Sequence, residues 1–151
     1  MLFRILKNGL KTGIILSATT TVATIIASLA ETGKPWAATN AIAHIVDGDD
    51  VEQPTNFDLR ATSIGLGINA TAMLAWAVLF EAGSEIAKIE PDAPTGFAAA
   101  TAAWVIDYKL VPKRLTPGVE KHLTFGPILA IYAVLGTTLA LSSLWRERSS
   151  K

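Results

Sequence analysis

Apolar residues in this chain gather in four long blocks, at about 12–30, 61–80, 95–111 and 123–145. Asp107 and Lys109, near the end of the third block, are the charges inside them. A run of about 20 predominantly apolar residues is what a helix needs to cross a bilayer core. The pattern therefore predicts an all-α polytopic membrane protein: a four-transmembrane-helix bundle in a single domain over 1–151. Each block also carries a stripe at helical spacing, mostly of small residues. The first has Gly13, Ser17, Thr20, Thr24 and Ser28; the second Gly65, Asn69, Ala72 and Trp76; the third Gly96, Ala100, Ala103 and Asp107; the fourth Ala133, Gly136, Ala140 and Ser143. Small residues let helix backbones approach one another in lipid, so the stripes predict the faces along which the helices pack.

The first block follows Arg4, Lys7 and Lys11 and resembles a signal peptide, with Ser28-Leu29-Ala30 as a small-residue site. Its uncharged length exceeds an ordinary signal core of about 7–15 residues, so it reads as a retained first span. The connection after it, 31–60, is the longest. Residues 35–46, PWAATNAIAHIV, predict a short interfacial helix, with Pro35 in its first turn and Trp36 as an anchor at the membrane surface. Asn40, His44 and Asp47 share one of its faces. The acids that follow, Asp47, Asp49 and Asp50, lack the spacing of an EF-hand and read as a solvated acidic loop.

The third block is the shortest and runs into a charged corner, WVIDYKLVPKRLTPGVE at 104–120. Asp107 points toward the bundle by its stripe, where an ion pair with Lys109, Lys113 or Arg114, or a helix cap, would satisfy it. Thr116-Pro117-Gly118 supplies a turn, with Pro presetting φ and Gly accepting φ > 0. A re-entrant segment at 95–111 is the alternative to a full crossing. With four crossings, both termini share a side with the 81–92 connection. That side holds seven cations (Arg4, Lys7, Lys11, Lys88, Arg146, Arg148, Lys151) against six on the other. The count barely decides orientation, and the basic segment before the first span places the termini in the cytoplasm. The same topology puts the 31–60 and 111–122 connections together, so that His44 and the acids at 47, 49 and 50 can meet Lys113, Arg114 and Lys121.

Composition narrows the chemistry. Half the residues are hydrophobic and 17% are charged, with a mean hydropathy of +0.40, more apolar than a soluble domain. The formal charge is zero, which removes the basic field a nucleic-acid partner would need. There is no cysteine, so disulfides, thiolate metal sites and cysteine nucleophiles are excluded. No nucleophile elbow, HExxH or phosphate-binding glycine loop is present. His44 and His122 could share a side of the membrane, but nothing in their spacing asks for haem. The expectation is a protein without catalytic, metal or cofactor sites. Its candidate functional polar residues are Asn40, His44, Asn69, Glu81, Asp107, Arg114 and Glu120. Asn69, in mid-span, reads as a hydrogen-bonding contact to a neighbouring helix.

Two segments, PWAATNAIAHIVDG at 35–48 and DYKLVPKRLTPGVE at 107–120, together with WAVLFE at 76–81, resemble the uncharacterised YagU-like inner-membrane proteins of bacteria. The resemblance implies a small multi-pass protein of the bacterial inner membrane with no established chemistry. It directs attention to Asn40, His44, Glu81, Asp107, Arg114, Pro117, Gly118 and Glu120. The expected function is that of a structural or accessory subunit, in contact with the bilayer and with other membrane subunits or copies of itself. The alternative is a small proton- or ion-linked transporter or channel. Against transport, the ionisable groups sit near span ends, whereas transport sites favour the midplane.

Overall fold

The computed structural model describes residues 1–146, all-helical apart from turns and connections; Arg148 and Lys151 lie outside the described residues. The helices are α1 (Leu2–Thr32), α2 (Ala37–Ala41), α3 (His44–Asp47), α4 (Leu59–Ala87), α5 (Ala93–Val105) and α6 (Phe125–Ala140). A π-helical turn, Ile106–Leu110, extends α5, and a 3-10 turn, Leu141–Leu144, extends α6. Local chemistry sets the boundaries. Gly33, at φ 70°, ends α1 with its N–H on the Leu29 carbonyl. Asp58 caps α4 by accepting from the Ala61 N–H. Asp92 and Thr95 form a reciprocal capping box on α5, with Pro94 in its first turn.

Among the described residues, three elements are long and apolar enough to cross a membrane: α1, α4, and α6 with its 3-10 extension. The third apolar block behaves differently. Its α-helical part stops at Val105, the π turn carries the chain to Leu110, and Val111 is extended. Pro112 lacks the N–H that a continuing helix would use and disfavours a helical residue before it.

The helices α4 and α6 both run opposite to α1. Arg4 of α1 pairs with Glu85 of α4, Gly13 lies on Leu74, and Asn69 donates to Thr21 at 3.1 Å, so α1 and α4 run antiparallel. The α6 helix returns along α1. Its first turn is held where the Thr124 N–H and hydroxyl each donate at 2.6 Å to the two oxygens of Glu31. Thr19 and Thr138 bond at 3.0 Å midway, and Trp145 Nε1 donates to Thr12 at the far end. The α5 helix packs on the other side of α6. There a Cβ on Gly96 would stand 2.4 Å from the Gly136 carbonyl oxygen, a backbone approach only glycine permits. Leu16, Met73, Ala77, Ala103, Leu135 and Leu139 fill the core, while Ile14, Ile26, Leu79 and Leu129 point outward.

The first and third stripes face mainly inward, with Gly13, Thr20, Thr24, Ser28, Gly96, Ala100 and Ala103 buried; of the fourth, Gly136 is buried but Ala133 is exposed, and the inner face of α6 runs instead through Ile128, Tyr132, Leu135 and Leu139. On α4 the inner face is displaced from the predicted one. It runs through Ala61, Gly65, Met73, Ala77, Glu81 and Ser84, and Ala72 is exposed. The short helix expected at 35–46 is broken into α2 and α3 by a turn at 42–43, and residues 37–44 are buried on all sides. Instead of presenting one face to a surface, this segment wedges between α1, α4 and the turn after Pro117. A Cβ at Gly65 would fall 2.1 Å from the Thr39 carbonyl oxygen.

Candidate functional site

Seven polar residues stood out in the sequence, and the fold sorts them into three places. The first is the junction of the two connections. Asn40 is fully buried and fully bonded: its amide donates to the carbonyls of Pro54 and Asn56, both at 2.7 Å, and its oxygen accepts from the Thr62 hydroxyl at 2.7 Å. It ties the far end of the long loop to α4. His44 is also buried, with Nδ1 2.6 Å from Asp49 Oδ1 and Nε2 2.9 Å from the Thr116 carbonyl oxygen. A carbonyl can only accept, so Nε2 carries a hydrogen. Both ring nitrogens are thereby occupied, and neither is free as an axial ligand. The His44 hydrogen bond and, after it, the nearby Lys121 hold the Asp49 carboxyl below its ordinary value.

Charge pairing between the connections is realised differently from the expectation. Lys121 approaches Asp49 at 3.6 Å, but Asp47 is held by Arg60 at 2.6 Å, within its own connection. Arg114 donates to the Val46 carbonyl at 3.4 Å rather than to an acid. Glu120 accepts from Thr116 at 2.8 Å and from Tyr108 at 3.4 Å, closing the corner on itself. Gly118, at φ 83°, is the expected turn glycine; a Cβ there would also stand 2.6 Å from His44 Cδ2.

The second place is the opposite end of the bundle. Glu81 is buried, accepts from Thr12 at 3.2 Å and lies 3.3 Å from Arg146 Nε. Arg146 also approaches Glu85 at 3.8 Å and Glu90 at 3.9 Å, and Glu85 pairs with Arg4. Arg146 and Arg4 were legible only as basic flanks of the spans. Nothing local in the sequence marks either as a partner of a buried acid.

The third place is a cavity of about 160 Å³ between α1, α4, α6 and the charged corner. Its walls are largely apolar, with Ile42, Ile68, Met73, Val119, Ile128 and Leu135 among them. Asn69 and Asp107 line it together. Asp107 is half-buried, and Tyr132 OH donates to its Oδ2 at 2.6 Å. This corrects the expected ion pair: Lys109 stands instead 5.6 Å from the centroid of the Trp104 ring. Tyr108 and Tyr132 also line the cavity, with rings edge-to-face 6.2 Å apart. The sequence reading missed Tyr132. Nothing local in the sequence marks it, because its approach to Asp107 depends on how α6 packs against the end of α5. No family model, curated protein or solved structure matches this chain.

Proposed function

We propose that the chain is a non-catalytic integral membrane protein, a structural or accessory subunit packing in a larger membrane complex or with copies of itself. The observation that supports this best is where the polar groups go. Asn40, His44, Glu81, Arg114 and Glu120 all bond within the chain, mostly between elements, and the outer faces carry large apolar side chains. Such groups hold a bundle together rather than await a substrate.

In this reading α5 and its π turn complete a fourth crossing. Their 18 residues reach about 27 Å, near the thickness of a hydrocarbon core. The α2–α3 wedge sits at the membrane face, the termini are cytoplasmic, and the membrane is the bacterial inner one implied by the YagU-like resemblance. The two longer segments carrying that resemblance touch one another, through His44 on Thr116 and Arg114 on Val46.

Because the chain has no cysteine, single cysteines report topology without background. Glu52→Cys and Lys113→Cys should label from one side and Lys88→Cys from the other; labelling of position 113 from the side of position 88 would replace the fourth crossing with a re-entrant segment. The subunit role is tested by mild-detergent extraction and native mass determination. Ala100 and Gly136 pack inside the bundle, so the partner surface has to be probed from outside, with Ala18→Trp and Ala75→Trp. Loss of stoichiometric co-purification with the bundle intact supports the role; a monomer that travels alone removes it. The alternative, a small proton- or ion-linked transporter or channel, draws on Asn69 and Asp107 sharing the cavity. Loss of transport in Asp107→Asn with assembly unchanged would favour it.

A further inference from the structure

The cavity has features that the subunit reading leaves unused. Asp107 accepts one hydrogen bond, 2.6 Å from Tyr132 OH. A carboxylate has about four acceptor positions, so this one retains capacity. No nearby cation competes for it: Lys109 stands over Trp104, Arg114 is on Val46 and Lys121 is on Asp49. Two phenol rings stand beside it, and ring faces attract cations. Asn69 spends its amide hydrogens on Thr20 and Thr21. Thr20 and Thr24 also line it, their hydroxyls donating to the Leu16 and Thr20 carbonyls of their own helix, and the remaining wall is apolar. An apolar cavity of roughly 150 Å³ takes up benzene, and this one is about 160 Å³.

We propose that the cavity between α1, α4 and α6 is a binding site for a small apolar molecule bearing one ammonium group, with the head on Asp107 beside Tyr108 and Tyr132 and the body against Ile68, Met73 and Ile128. The apolar wall supplies burial, and the carboxylate selects charge, because an ammonium satisfies it where a hydroxyl leaves its charge uncompensated. Leu115 lines the cavity yet is exposed, which makes the corner following the π turn the way in. The same head chemistry occurs in free alkyl- or arylamines and in aminolipid headgroups.

The experiment titrates the full chain, in phosphatidylcholine nanodiscs, with benzylamine at neutral pH by calorimetry. Empty discs are subtracted, and neutral benzyl alcohol is the comparison. Saturable binding of one benzylammonium per chain is expected. Benzyl alcohol, and benzylammonium on Asp107→Asn, should bind about tenfold more weakly or worse. Thr24→Leu, which fills the cavity without touching the carboxylate, should remove binding of both molecules while leaving the native mass unchanged. Repeating the titration in discs containing phosphatidylethanolamine separates the sources: a weakened apparent affinity identifies the aminolipid as a competing occupant, and an unchanged one assigns the site to free amines. The assignment is overturned by absence of saturable binding, by equal affinity for the alcohol, or by binding that survives Thr24→Leu. Should Asp107→Asn fail to assemble, the alcohol comparison and Thr24→Leu decide alone.

Discussion

Gly118 answers two demands at one position. Its φ of 83° is left-handed, and the space where a Cβ would go is taken by His44 Cδ2 at 2.6 Å and the Ala41 carbonyl oxygen at 2.8 Å. Gly118→Ala should therefore lower stability by about 2–4 kcal/mol, read as thermal unfolding in detergent. The first demand was legible in the Thr-Pro-Gly run; the second was not. The same limit hid the partners of Asn40 and His44. Those partners are mostly backbone carbonyls, of Pro54, Asn56 and Thr116, and every residue owns a carbonyl. Acid should loosen this junction. Hydrogen bonds from Arg60, then Gln53, pull the Asp47 carboxyl down to about 2 from an ordinary 3.8. Burial, with Lys121 and Lys34 nearby, likewise holds His122 below its ordinary 6.5. Both groups have depressed folded-state values. Their contributions are fully present above those ordinary values and are lost as pH falls through the lowered ones. Amide exchange across residues 48–58, corrected for intrinsic rate, should accelerate as pH drops from about 4 to about 2, and Arg60→Gln should shrink the change.

The pattern of apolar blocks carried most of the information about elements. Three of the four blocks became continuous helices because length and hydropathy alone define such segments. The segment at 35–46 defeated the same logic. Its fate was set by burial between other elements, and a helical face on paper says nothing about a backbone pressed against Gly65. The stripe on α5 was correctly placed, and its meaning is now specific. A Cβ at Gly96 would meet backbone atoms, the Gly136 oxygen at 2.4 Å and the Ala140 nitrogen at 2.7 Å, which cannot swing aside as a side chain can. Gly96→Leu should part α5 from α6, costing about 3 kcal/mol or more and exposing the 111–124 corner to protease, while α1 and α4 stay paired.

Taken as a whole, the molecule is fastened at both ends by bonds that join α6 to α1 and α4. Glu31 holds Thr124 at one end, and Glu81 faces Arg146 at the other. The candidate status of Glu81 was legible from its place at the end of an apolar block; its partner, 65 residues on, was not, because the pairing depends on how α6 returns. Arg146→Ala should cost about 3–5 kcal/mol by leaving a buried acid without its cation. Glu81→Gln combined with Arg146→Met should recover much of that loss, as measured by unfolding in detergent.

The fastening also implies an order of events during synthesis. Once α1 and α4 have met, Thr12 is the group on them that bonds Glu81, and its cation arrives only with the last described residue. Until then the half-built protein carries an uncompensated acid between its first two long helices. A nascent chain halted before Arg146 has emerged should thus be a better target for quality-control proteases than one halted well after it, and the segment that follows α6 acts as the latch that ends the vulnerable period.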